Sequence, residues 1–382
     1  MKVLHIISSG GMYGAEAVIL NVSRTLTQGP HRSLLGVFAN SANPNRQLYE
    51  AATSEGIESH FIPCSGQVDR TTIKSIRNLV AQTGADVVHA HGYKGDIYVY
   101  FALRKSRTPF VSTCHTWYDT DLLVSLYGKA DRLVLRSFAR VVSVSDEVTQ
   151  RLLKAGVRPG KIHMVRNGID LRPFHSAPPS LRTDATPARP LLVGLIGRLA
   201  WEKGVDIFLQ SAALVLAQLP NTKFVIVGEG PDREKLDRQI DDLNIRPSVT
   251  MLGRRNDMPS VYASLDIMVS SSRQEGLPIA ILEGMASALP LVATTVGEVP
   301  TVIQDGRTGL LVPPNNPELL AAGVAELLRD PAQRTRLGAA ARQLIADQYS
   351  AERMTADYLC VYEEAIATIA PSSPQPPTGS AK

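Results

Sequence analysis

The chain has 382 residues, 44% hydrophobic and 20% charged, which suits a soluble globular protein of about two domains. Its net charge of +4 combines +8 over residues 1–173 with −4 over the remainder, so one half is basic and the other mildly acidic. Cys64, Cys114 and Cys360 are odd in number, scattered and without metal or redox spacing, which excludes a disulfide framework and cysteine-based chemistry.

The opening stretch MKVLHIISSG has no apolar targeting core or cleavage site, and no run of 18 apolar residues occurs. The expectation is a cytoplasmic protein that does not span a membrane. Residues 3–7 read as a strand, followed by the loop Ser8-Ser9-Gly10-Gly11-Met12-Tyr13-Gly14 and a helix over 15–26. The loop nearly spells a dinucleotide-binding fingerprint. Ser9 stands at its first glycine, however, and no acidic residue ends the second strand, so a nicotinamide site is poorly supported. Gly10 and Gly11 mark either a close backbone approach to an anion or a plain tight turn. Further strands at 34–38, 59–62, 87–90, 110–113 and 141–144 alternate with helical patterns at 71–81 and 128–140. That alternation is the signature of a parallel sheet with helices on both faces. His89 and His91 flank Ala90 at a strand end without neighbouring carboxylate or cysteine ligands, and read as structural; no metal is expected.

On the helix predicted at 128–140, Lys129, Arg132, Arg136 and Arg140 recur every three or four residues beside an apolar row of Leu126, Leu133 and Phe138. Such a row is either a solvated face above a packed one or a weak, salt-sensitive dock for anionic lipid at the inner face of a membrane. Asn167 and Asp170 shape a turn, and residues 174–190, with four prolines among polar residues, read as a linker. The strand, loop and helix plan then restarts at 191–196, Gly197 to Gly204, and 205–218. Strands at 223–227, 249–252, 265–269, 291–293 and 309–312 alternate with helices at 232–243 and 317–328. A last helix over 351–369 carries Met354, Tyr358, Val361, Tyr362 and Ala365 at helical spacing, and a disordered tail follows from 371. The expected fold is α/β, with two doubly wound Rossmann-like domains, 1–173 and 191–349, facing across a cleft. Ligands of such sheets bind at the carboxyl ends of the strands.

The stretch 270–293 concentrates the chemistry. Gly276 and Pro278 open a nearly wholly apolar helix that Leu289-Pro290 stop, and Glu275 and Glu283 stand eight positions apart, a rise of roughly 12 Å along a helix. Glu283 falls among Ile279, Ile281, Leu282, Met285 and Leu289. There an ionised carboxylate needs donors, such as vicinal hydroxyls of a ligand or a basic side chain. The helix start offers unpaired N–H groups to a phosphate. Equally, Glu275 could serve the helix dipole and Glu283 reach out at the edge. Arg198 and Lys203 follow a strand end and could neutralise a diphosphate, or form an exposed charged loop with Glu202.

Gly197-Arg198 with Lys203-Gly204, Val227-Gly228-Glu229-Gly230-Pro231, Glu275-Gly276-Leu277-Pro278 with Glu283, and Asp305-Gly306-Arg307-Thr308-Gly309-Leu310-Leu311-Val312 stand in a characteristic order and spacing. In these motifs the chain resembles the family 4 glycosyltransferases of the GT-B fold over nearly its whole length. The resemblance implies a retaining hexosyltransferase that moves a sugar from a nucleoside-diphosphate sugar to an acceptor hydroxyl of a glycan or lipid-linked glycan, without a metal cofactor. It implies that Arg198 and Lys203 hold the diphosphate, Glu283 the ribose hydroxyls, and Glu275 the hydroxyls of the sugar, aided by backbone N–H groups near Gly276, Leu277 and Ile279. It further implies that the Gly10-Gly11 loop closes on the phosphates, that His115 touches the donor sugar, and that backbone near Arg254 holds the base. Many relatives follow that histidine with aspartate; here Thr116 follows. The last helix is expected to pack back towards the N-terminal domain, and no nucleic-acid partner is expected. A nucleotide-sugar 2-epimerase of the same fold is the rival enzyme, separated by assaying for free epimer without acceptor. A non-catalytic nucleotide-sugar-binding protein is the rival outside enzymes, separated by turnover.

Overall fold

The structure is a computed structural model describing residues 1–12, 14–40, 45–65, 69–114, 122–182 and 189–369, with backbone alone for residues 40 and 122–126. It divides into two units, Met1–Arg166 with Met354–Lys382, and Asn167–Arg353. The first unit runs β1 (Lys2–Ile7), α1 (Gly14–Gln28), β2 (Arg32–Asn40), α2 (Gln47–Ser54), β3 (Glu58–Cys64), α3 (Arg70–Thr83) and β4 (Val87–His91). It continues through α4 (Gly92–Leu103), β5 (Phe110–Cys114), α5 (Leu122–Leu135), β6 (Arg140–Ser143), α6 (Asp146–Lys154) and β7 (Ile162–Met164). All its strands pair in parallel, in the order β3-β2-β1-β4-β5-β6-β7. Because helices cover both faces, β4 is buried at every residue, with no alternation between buried and exposed positions. Ile19 and Leu20 of α1 and Leu48 of α2 pack on Ile7, Leu35 and Val37; Ile76, Val99 and Leu152 pack on Leu4, Val88 and Val141.

The second unit runs β8 (Leu191–Ile196), α7 (Val205–Gln218), β9 (Thr222–Val227), α8 (Arg233–Asp242), β10 (Val249–Gly253), α9 (Met258–Ser264) and β11 (Ile267–Ser270). It continues through α10 (Ile279–Ala286), β12 (Leu291–Thr294), α11 (Val299–Val302), β13 (Leu310–Val312), α12 (Pro317–Arg329) and α13 (Pro331–Gln348), and ends in the first residues of α14 (Ala351–Ala367). The sheet order is β10-β9-β8-β11-β12-β13, again all parallel. Phe208 of α7, Leu236 of α8 and Leu320 of α12 share one core, whereas Tyr262 of α9, Leu282 of α10 and Ile345 of α13 share another. The helices after the adjacent strands β8 and β11 thus take opposite faces. The carboxyl ends of these two strands are therefore the switch point of the sheet, the place where such sheets bind ligands.

From Met354 on, α14 belongs to the first unit, where Met354, Tyr358, Val361, Tyr362 and Ala365 are all buried, as their spacing predicts. His89 ties it to the sheet: Nδ1 lies 2.7 Å from the Tyr362 hydroxyl and Nε2 2.7 Å from the Thr113 hydroxyl, itself 3.1 Å from that of Tyr358. The structure adds a third histidine, His5, whose Nδ1 lies 3.0 Å from Nε2 of His91. Burial lowers its pKa to about 3, which keeps it neutral. With hydroxyls on both nitrogens of His89, the cluster is a hydrogen-bonded seam between sheet and helix.

Two expectations need correcting. The basic row read on one helix is broken, because α5 ends at Leu135 and the burial of Phe138 turns the chain into β6. Arg136 hydrogen-bonds the Ala155 carbonyl and Arg140, in β6, pairs with Glu364, so the four basic residues do not share one helix. The stretch read as a linker is bound to the second unit at residues 180–182: the N–H groups of Ser180 and Leu181 donate to Ser264 Oγ, and Arg182 pairs with Asp266 at 2.7 Å. Asp170 does shape its turn, accepting from the Arg172 N–H at 3.0 Å. Among the described residues, no helix is long and apolar enough to cross a membrane.

Candidate functional site

The loop leaving β8 carries Arg198 and Lys203, and the loop leaving β11 carries Ser272 and Glu275. The first is seated on the glycines after β9. Gly228 has φ +143°, and a Cβ there would lie 1.9 Å from the Gly197 carbonyl oxygen. The Val227-Gly228-Glu229-Gly230 motif therefore works as a backbone seat for the Arg198 loop, where the Leu199 N–H donates to the Glu229 carbonyl at 3.0 Å. Arg273 fastens the two loops together, a role the sequence reading missed. It forks Asp206 at 2.8 and 2.7 Å, donates to the Trp201 carbonyl at 2.9 Å and lies over the Trp201 ring. Burial alone would raise the Asp206 pKa, but the hydrogen bonds and charge of Arg273 outweigh it and hold the carboxyl low.

Glu275 sits at the centre of this arrangement with its side chain 8% exposed. Its Oε1 accepts from Lys203 Nζ at 2.5 Å and from Ser272 Oγ at 2.7 Å. Among the described residues no donor reaches Oε2, which leaves that oxygen for a ligand hydroxyl. Thr294, at the end of β12, fixes Ser272 by donating to its carbonyl at 2.7 Å. Arg198 points away from its neighbours: its side chain is 63% exposed, and Nη1 lies 3.9 Å from Glu202, too far for a hydrogen bond. Arg198 and Lys203 thus stand on one loop as an exposed guanidinium and a partly buried ammonium, the chemistry that an anion can pair with.

The helix after Glu275 starts one residue later than expected, with Pro278 as an extended N-cap, and no side chain caps its first turn. The N–H of Ile279, its first residue, and that of Leu277, just before the cap, are the donors an outside acceptor could meet there. It also ends early, at Ala286, with Ala288 left-handed and the Leu289 N–H closing back on the Gly284 carbonyl. Glu283 lies inside it, as expected. Burial raises its pKa to about 7, against the opposing effect of one hydrogen bond, from the Tyr262 hydroxyl to Oε2 at 2.8 Å.

Glu275, Lys203 and the start of α10 are brought together on one unit, with Arg198 on the same loop as Lys203. Arg254 follows β10 on that unit and is exposed. Gly276 has open space where a side chain would go. Gly10 and Gly11 lie in the first unit, at the carboxyl end of β1, beside β4, where the helices again change faces. There Ser9, which displaces a fingerprint glycine, bridges the loop to Glu16 at 2.9 Å and to the Gly11 carbonyl at 2.9 Å. His115 lies outside the described residues, as does Asp119-Thr120-Asp121, an Asp-x-Asp triplet that the expectation of metal independence passed over.

Fold and site together define an α/β protein of two doubly wound units, the second carrying Lys203, Ser272 and Glu275 as one hydrogen-bonded group at its switch point. Comparison with known proteins agrees. The family described as "Glycosyltransferase Family 4" matches residues 12–172 and that described as "Glycosyl transferases group 1" matches residues 182–344. The chain is 30% identical over 305 residues to D-inositol 3-phosphate glycosyltransferase of Mycobacterium leprae, covering 74% of this chain and 69% of that one. It is 36% identical over 178 residues to alpha-D-kanosaminyltransferase of Streptomyces kanamyceticus, which covers 46% of each. The crystal structure of Anabaena HepE in complex with UDP superposes with a TM-score of 0.77 at 19% identity, over 97% of this chain and 100% of that one. The chain belongs to the family 4 glycosyltransferases.

Proposed function

We propose that the protein transfers a hexose, with retention, from a nucleoside-diphosphate sugar to an acceptor hydroxyl on a glycan or lipid-linked glycan. The observation that carries this reading is the convergence of Lys203, Ser272 and Glu275 beside the uncapped start of α10, with Arg198 free on the same loop as Lys203. A diphosphate needs cations and N–H donors, and a sugar needs a carboxylate with an oxygen to spare; both needs are met here. On this reading Arg198 and Lys203 neutralise the diphosphate, Glu283 accepts from the ribose hydroxyls, and the free Oε2 of Glu275 accepts from hydroxyls of the sugar. The sugar departs through an oxocarbenium-like state on the face at which the acceptor enters, and the leaving phosphate takes the acceptor proton. Catalysis then comes from positioning and fixed charge. The UDP in the HepE structure supports such a donor, while the acceptor rests on resemblance alone. Screening nucleotide sugars by thermal shift, then assaying transfer with and without acceptor, tests it. Donor consumed only when acceptor is present supports transfer; free epimer without acceptor, or binding without turnover, overturns it.

Arg198→Ala and Lys203→Ala are each expected to weaken nucleoside-diphosphate binding by about 1–3 kcal/mol, the cost of losing a hydrogen bond to a charge, with the fold kept. Unchanged calorimetric affinity for both UDP and GDP would remove the phosphate assignment. Because protein cations supply the neutralisation, activity is expected to survive excess EDTA. Activity abolished by EDTA and restored by Mg²⁺ would instead turn attention to Asp119 and Asp121.

A further inference from the structure

Tyr262 is fully buried on α9, and nothing in the sequence marks it. Its hydroxyl reaches two acceptors, Glu283 Oε2 at 2.8 Å and the Ala280 carbonyl at 3.3 Å. A phenol has one proton, so the closer, charged acceptor takes it while Glu283 is ionised. Burial first, and then the negative charge of Glu283, push the Tyr262 pKa well above its usual value, so the hydroxyl stays a donor. The ring is held edge-on to Phe174 with centroids 5.9 Å apart, which fixes the direction of the hydroxyl. Among the described residues, no other titratable or charged group bears on Glu283. Ile281, Leu282 and Met285 of α10, and Phe174, Leu252 and Met258, which pack on the core that α9 and α10 share, are all apolar. No described protein donor reaches Glu283 Oε1.

We propose that Tyr262 is a positioning residue for the donor. By occupying Oε2 it keeps Glu283 an anion with Oε1 left for the ribose, and so sets the pH below which the protein ceases to prefer a ribonucleotide over its 2′-deoxy analogue. This rests on the assignment of Glu283 to the ribose hydroxyls. A protonated Glu283 offers those hydroxyls a weaker, neutral acceptor, and the change falls near the Glu283 midpoint of about 7.

The test compares wild type with Tyr262→Phe, which keeps the ring, in two measurements. The first is a ¹³C NMR titration of the Glu283 carboxyl without ligand, assigned with Glu283→Gln. The second is the ratio of calorimetric affinities for UDP and 2′-deoxy-UDP across pH, a ratio that cancels titration of the nucleotide phosphate; the GDP pair replaces it if the screen selects guanine. In wild type the ratio should collapse as pH falls through the midpoint. In Tyr262→Phe both the carboxyl midpoint and the collapse should move up by about one pH unit, the size of one hydrogen bond to a charge. Replacing Tyr262 by 3-fluorotyrosine, a stronger donor of nearly the same volume, should move both down, and it serves as well if Tyr262→Phe fails to fold. A carboxyl midpoint unmoved in the folded variants overturns the proposal, as does a moved midpoint with an unmoved ratio profile. If wild type shows no preference for the ribonucleotide at any pH, the ribose assignment itself falls, and the positioning role with it.

Discussion

Glu275→Gln is expected to lower kcat by about 10²–10³, the cost of removing one fixed group that meets developing charge in a transition state. The amide oxygen of glutamine can still accept from Lys203 and Ser272, so the loop and the fold should stay as they are. What disappears is the negative charge, and with it the stabilisation of a sugar ring gaining positive charge. Lys203 loses its ionic partner at the same time, and a diphosphate no longer competes with a carboxylate for the ammonium. A nucleoside diphosphate without sugar should therefore bind at least as tightly to the variant as to wild type. Glu283→Gln should behave in the opposite way, weakening the nucleotide through its ribose. Steady-state kinetics with calorimetry on both variants checks the pair. Equal loss of nucleotide affinity in the two would contradict the separate roles.

Much of this site was legible because its chemistry sits on short charged motifs at strand ends. Arg198, Lys203, Glu275 and Glu283 stand out by type and spacing, and β8 and α7 begin and end where the hydrophobic pattern predicts. The supporting side chains were hidden. Tyr262 precedes Glu283 by a strand and a loop, and Arg273 meets Asp206 from the next loop but several, pairings that no local periodicity records. The helices α4 and α13 were missed for two different reasons. In α4, apolar residues such as Ile97, Val99, Tyr100 and Phe101 crowd together, so no polar face defines a period. In α13 the packed face includes Gly338 and Ala341, whose small size lets backbones approach but contributes little hydrophobic signal. The basic row on 128–140 failed for the opposite reason: its charges recur at helical spacing, but the buried Phe138 and the strand-forming Val141 and Val142 decide where the helix stops.

Gly297→Ala is expected to be among the most damaging single-methyl changes in the second unit, although no motif singles out that glycine. Gly297 has φ +52°, and a Cβ there would lie 1.8 Å from the carbonyl oxygen of Glu275 and 3.4 Å from that of Gly276. The left-handed conformation alone costs an alanine about 1–2 kcal/mol. The clash is with backbone, which no side-chain rotation relieves, so the loop bearing Glu275 has to move or the turn after β12 has to open. If the native loop is kept, the unit should lose about 3–5 kcal/mol, at the upper end for single substitutions. If the loop yields instead, displacement of Glu275 by about 1 Å should cost on the order of 10² in turnover. Gly276→Ala is the control: it lies in the recognisable motif, yet its Cβ would meet open space and its φ is not left-handed, so stability should change little. Thermal unfolding and kcat measured together on both variants decide the matter. A Gly297→Ala protein with wild-type stability and wild-type turnover, or a Gly276→Ala protein as damaged as Gly297→Ala, would show that the turn after β12 does not hold Glu275 in place.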